Sequence, residues 1–180
     1  MVNNNKGVSP VIATVLLLVL TIVIVSILAV FVIPFVKDSL AGSKDCFAVL
    51  GDIKFDTSSS YNCFYTNSSN GLNRTGFSVR IDGDEVISFS TTLYRQGSAN
   101  PYTIENGANL SVLRMLNEDF AQPLEVPSNG GVRTYVANDL FDRVEVNPIL
   151  KTGKLCKAEE TVTLERCSPD PTIINNLFLH

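Results

Sequence analysis

The chain is nearly devoid of histidine: its one imidazole is His180. That scarcity removes the commonest general base and the commonest metal ligand from any catalytic scheme. No C-x-x-C pair, no G-x-S-x-G elbow and no glycine-rich phosphate loop appears. No enzymatic activity and no cofactor is expected. Basic charge is scarce as well. After Lys6 the chain holds 13 basic and 18 acidic residues, a formal charge of −5. Without a basic patch to neutralise phosphates, nucleic acid is excluded as a partner. The most extreme shortage is local. Between Lys6 and Lys37 lie 30 residues with no charge at all.

That stretch is long for its chemistry. A bilayer's hydrocarbon core is about 30 Å thick and needs roughly 20 helical residues to span. An ordinary secretory signal has an apolar core of only about 7 to 15 residues followed by a small-x-small cut site. Here the apolar run is longer and no such site closes it. It reads as a helix that stays on the protein. Ser9 is placed as an N-cap and Pro10 at the first helical position. Pro34 cannot donate to the carbonyl of Val30, so a kink or an end is expected nearby. Gly42 is the expected C-cap. Apolar residues fall on every side of the helix, which demands burial all round, in lipid or in a bundle. Thr14, Thr21 and Ser26 could make close interhelical contacts. They share no clean stripe, so bonds to their own helix carbonyls are the simpler reading.

The flanks set an orientation. The amino terminus and Lys6 precede the run, while Lys37 and Asp38 cancel after it. The positive-inside bias puts the N-terminus in the cytoplasm and the remainder outside. All four cysteines, Cys46, Cys63, Cys156 and Cys167, lie on that outer side, which suits an oxidising compartment. So do three N-x-[ST] sequons at Asn67, Asn73 and Asn109. Asn67 and Asn73 share a polar loop, so at least one of them is expected to carry a glycan; Asn109 adjoins possible strand residues.

Lys6-Gly7-Val8 places a basic and a small residue just ahead of the apolar run. A peptidase cutting between Gly7 and Val8 would remove a charged leader and keep the whole helix. The segment KGVSPVIATVLLLVLTIVIV resembles the N-terminus of archaeal type IV pilins. The resemblance implies a prepilin peptidase acting at the cytoplasmic face and a helix that moves from the bilayer into the core of a homopolymeric filament. It also implies an assembly ATPase with its membrane platform, and a β-rich head outside the cell, used in adhesion. One departure is plain. Bacterial relatives usually carry glutamate at the fifth mature position, and here Ile12 stands there. That glutamate's pairing with a neighbour's amino terminus is therefore not carried over. A swimming-filament subunit of the archaellin kind shares the processing logic, and an uncleaved single-pass anchor bearing a binding domain is the reading from another class.

Beyond the helix the period changes from helical to alternating. GFSVRID alternates through Phe77, Val79 and Ile81, and DEVISFSTTLY through Ile87, Phe89 and Leu93, with Asp82-Gly83 as a hairpin signal between them. CFAVLGDIKF, GGVRTYVAND, DRVEVNPIL and EETVTLERC supply further strands; ANLSVLRMLNEDF is ambiguous. The expected class is α+β: a long N-terminal hydrophobic helix followed by an antiparallel, immunoglobulin-like β-sandwich. The expected division is a leader at 1–7, a helix at 8–42 and a head at 43–180. Four cysteines allow three pairings, of which the local one, Cys46–Cys63 with Cys156–Cys167, is expected. The carboxylates from Asp82 to Glu85 fit no calcium loop and read as a solvated turn. Tyr61, Phe64 and Tyr65 could form an adhesive surface, but packing is the simpler role.

Overall fold

The computed structural model describes residues 10–67, 71–157 and 160–178. Helix α1 covers Pro10–Ala48. Ten strands follow: β1 Ile53–Phe55, β2 Cys63–Thr66, β3 Asn73–Ile81, β4 Val86–Arg95, β5 Ser98–Ile104, β6 Leu113–Met115, β7 Gly131–Ala137, β8 Arg143–Leu150, β9 Glu160–Thr163 and β10 Glu165–Arg166. A short helix, α2, covers Pro171–Phe178. The fold is α+β, with two compact units dividing between Asp45 and Cys46.

The head contains two sheets. The first runs β10-β2-β3-β7-β6, and the second β5-β4-β8-β9. In the first, β2 pairs with the opening half of β3 and β1 with its closing half. Pairing is antiparallel except between β10 and β2. The sheets share one core because apolar residues alternate inward. Phe77, Val79 and Ile81 of β3, Phe89 and Leu93 of β4, Tyr135 of β7 and Val144 and Val146 of β8 are all buried in it. The Phe89 ring meets Tyr135 edge-on at 5.7 Å between centroids, a preferred aromatic geometry.

Three local expectations are corrected. Asp82-Gly83 makes no hairpin: β3 and β4 belong to different sheets, so the turn carries the chain between layers. The β7–β8 connection crosses in the same way, as do the two halves of EETVTLERC at Leu164, which is buried at the crossing. Ile87 faces outward rather than inward. A register shift between Val86 and Ser88 rotates the strand start, so Val86 and Ser88 are both buried while Ile87 is 45 % exposed.

Helix α2 is an element beyond those expected from the sequence, although its signals are legible there. Asp170 is its N-cap, its carboxylate accepting from the Thr172 N–H at 2.8 Å, and Pro171 takes the first position. Ile173 and Leu177, one turn apart, bury against Val136, Cys63 and Cys167. At the other end Arg114 of β6 closes the helix. Its guanidinium is fully buried and donates to the carbonyls of Leu177 at 2.9 Å, Asn176 at 3.3 Å, and Met115 and Glu118 at 3.0 Å. A cation at a helix C-terminus meets both the unbonded carbonyls and the negative end of the dipole. Burial first, and the neighbouring Arg74 second, pull Arg114 below the usual arginine range, with Asp119 opposing. Arg74 and Arg114 both lie over the Phe120 ring. Arg114→Met is expected to lower stability by about 2–4 kcal/mol. Several charge-assisted bonds are lost, partly offset by relief of a buried cation. Thermal unfolding of the full chain measures this; an unchanged midpoint would mean that the clasp contributes nothing.

Candidate functional site

The candidate site is the apolar part of α1. Residues from Pro10 to Lys37 form the one described helix long and apolar enough to cross a membrane, by length and composition. At 1.5 Å per residue its 28 residues extend about 42 Å. Val11, Leu16, Val23, Val30 and Phe35 are exposed, as are the large residues on every other side. Leucine, valine and isoleucine leave no polar stripe for water. The helix continues through Pro34 and past Gly42 to Ala48, so neither residue ends it. The expected cap at Gly42 is thus corrected: the chain leaves the helix at the Val49-Leu50-Gly51 turn, where Gly51 has a φ of 88°.

The small polar residues in the run serve their own helix. The Thr14 hydroxyl donates to Val11 O at 2.9 Å, Thr21 to Leu18 O at 2.8 Å and Ser26 to Ile22 O at 2.8 Å. Each hydroxyl satisfied in this way can lie in an apolar environment at little cost. Pro10 opens α1. The predicted cut at Lys6, Gly7 and Val8 and the predicted cap Ser9 lie outside the described residues, as does His180.

Both disulfides form, but with the crossed pairing: Cys46–Cys156 and Cys63–Cys167, with Cα separations of 5.3 and 4.9 Å. The local pairing fails for a topological reason. β10 lies parallel to β2, with Glu165 opposite Cys63 and the Cys167 N–H donating to Phe64 O at 2.9 Å. That places Cys167 beside Cys63. Cys156 remains with the other sheet, its N–H bonded to Pro148 O of β8 at 2.9 Å. Since β9 and β10 join different sheets, no hairpin brings Cys156 and Cys167 together.

The sequons differ in setting. Asn109 is exposed in the β5–β6 connection. Asn73 opens β3 opposite Thr66, and its Oδ1 is buried. Asn67 is half-buried, and its carbonyl accepts from the Gly71 N–H at 2.8 Å. The carboxylates from Asp82 to Glu85 hold protein partners. Asp82 pairs with Lys54 and Arg80, which hold its carboxyl below the usual range. Asp84 accepts from Asn129, and Glu85 meets Lys151 at 3.4 Å. No group of three or more potential metal ligands occurs among the described residues. The three aromatics are packing residues. Tyr61 accepts from Asn176 at 2.7 Å, Tyr65 meets Phe178 edge-on, and Phe64 packs on the main core.

Residues 6–39 match the family model described as archaeal type IV pilin, N-terminal. No curated protein and no solved structure matches the chain. The matched segment contains Lys6, Gly7, Val8 and the apolar helix through Lys37. Residues 6–39 are therefore similar to the N-terminal segment of archaeal type IV pilins, and the likeness covers that segment alone.

Proposed function

We propose that this protein is a structural subunit of an archaeal type IV pilus-like surface filament used in adhesion, and not an enzyme. A prepilin peptidase cuts between Gly7 and Val8 at the cytoplasmic membrane face. The subunit then waits in the bilayer with its head outside, and moves into a bundle of identical helices. A motor ATPase and a membrane platform from other proteins drive that step. The observation that carries this reading is the match of residues 6–39 over a helix that is apolar on every side. Such a surface must be covered twice in the subunit's life, by lipid and then by its own copies. N-terminal mass spectrometry of membrane and sheared-filament fractions tests it. Filament subunits are expected to begin at Val8.

Glycans on the head are part of this reading. Exposure favours Asn109 over Asn73, because the Asn73 amide is held at a strand end with its oxygen buried. Glycopeptide mapping of native filaments is expected to show Asn109 more fully occupied than Asn73. The reverse order would mean that folding does not limit the transferase here.

A further inference from the structure

A polar cleft of about 530 Å³ lies between the β4–β5 turn and the segment that follows β7. Its size falls in the roughly 300–1,000 Å³ range of small-ligand sites. It sits far from where the chain enters the head. Cys46 is tied to Cys156, whose N–H reaches Pro148, and Pro148 lies opposite Phe89. Arg95, at the cleft, is six strand positions beyond Phe89, or roughly 20 Å.

We propose that this cleft binds a neutral saccharide. Its one ion pair, Arg95 with Asp139, cancels within the lining and joins the two walls. What remains is uncharged and amide-rich. The Asn138 Nδ2 donates to Ser111 O at 3.1 Å, leaving its Oδ1 to accept. The Asn100 Nδ2 contacts Leu93 O at 3.4 Å, leaving its Oδ1 likewise. The Gln96 side chain and the Tyr102 hydroxyl have no hydrogen bond among the described residues. Amides offer paired donors and acceptors to vicinal hydroxyls, and a tyrosine offers both an apolar face and a hydroxyl. A charged ligand would meet no uncancelled partner in the lining.

The β4–β5 turn adds a second observation. Gln96 and Gly97 have φ of 47° and 86°, the pattern of a two-residue type I′ turn. Asn or Gly is the favoured residue at the first position. Glutamine there bears left-handed strain yet sets a longer amide at the cleft wall. The Asn109 sequon adjoins the cleft in sequence: the carbonyl of its Ser111 accepts from Asn138, and the next residue, Val112, lines the cleft. The saccharide is therefore either a glycan on Asn109 itself or one presented by another surface.

The proposal rests on the adhesion reading alone, since binding needs no polymerisation; a failure to assemble would show in filament shearing and leave binding intact. The test uses the full chain, unglycosylated, in dodecylphosphocholine micelles, a detergent without a sugar headgroup. Maltotriose, lactose, chitobiose and mannobiose are titrated while the side-chain amide signals of Gln96, Asn100 and Asn138 are followed by NMR. At least one probe is expected to shift these signals at millimolar concentration. Tyr102→Ala is expected to weaken that binding at least tenfold with the fold intact. Gln96→Asn is expected to raise the thermal midpoint while weakening binding at least threefold. In chain glycosylated at Asn109, sugar-to-Tyr102 cross-peaks with loss of probe binding identify the chain's own glycan as occupant. Retained probe binding identifies a foreign one. Unshifted amides with every probe together with no sugar-to-Tyr102 cross-peak, or affinity unchanged in Tyr102→Ala, would overturn the proposal.

Discussion

Replacing Cys46 and Cys156 by alanine is expected to lower the head's thermal midpoint by about 10–20 °C, and Cys63/Cys167 to do the same. The paired residues are 110 and 104 positions apart. Closing a loop of roughly 100 residues removes unfolded-chain entropy worth about 4.7 kcal/mol in the chain-entropy model. A typical domain has about 5–15 kcal/mol in all. The two loops overlap along most of the head, so their contributions are not additive: the second closure constrains a chain already shortened by the first. Full reduction is expected to leave the domain at or below its folding threshold at physiological temperature. Circular dichroism melts of the two double variants, with and without a reducing agent, measure this. Non-reducing peptide maps should show Cys46–Cys156 and Cys63–Cys167. A native map with Cys46–Cys63 would refute the crossed topology, and with it the parallel placement of β10 on β2.

Gly7→Leu is expected to abolish filaments altogether and to trap a full-length precursor in the membrane. On the proposed orientation, a leader still attached would keep Lys6 and the terminal amine at the cytoplasmic face. A lysine at the bilayer centre costs about 2.5–3.5 kcal/mol on insertion scales. Cutting after Gly7 removes that lysine and leaves one amine, small enough to find partners at the helix end in a bundle. Ile12 provides no carboxylate for it. The move from lipid to bundle changes apolar burial little, so close packing and head contacts must decide it. Fractionation of the variant beside wild type gives the answer. Wild-type filaments built from subunits starting at Met1, or normal assembly of uncleaved Gly7→Leu, would make the protein a simple anchored domain.

The helix was legible in the sequence because its signal is redundant: 30 uncharged residues, a proline at the start and apolar residues all round. Its end was not. The glycine at 42 has the chemistry of a stop, yet helical pairing carries on to Ala48; tertiary context outweighs one residue's propensity. Strand positions followed from alternation, since Phe77, Val79 and Ile81 can satisfy only one face. Strand partners did not. Asp82-Gly83 has hairpin chemistry, but a turn of that kind can equally pass a chain from one sheet to the other. The crossed disulfides were hidden for the same reason. Cysteine spacing carries no information about which strands are neighbours, and the parallel β10–β2 contact joins residues about 100 positions apart. The cleft was invisible for that reason too: its residues come from separate strands and connections.

The Cys46–Cys156 bridge has a mechanical meaning. In the proposed filament, tension would pull each head through the helix that enters it. Without the bridge, the load would pass from Ala48 to β1, three residues long and held on one edge, and would peel it away first. Through the bridge, the load leaves the helix at Cys46 and reaches Cys156, whose neighbour β8 is gripped on both sides by β4 and β9. The segment from 47 to 55, β1 included, is thereby relieved of the load. The head would then yield by shear across an eight-residue strand rather than by unzipping of a three-residue one.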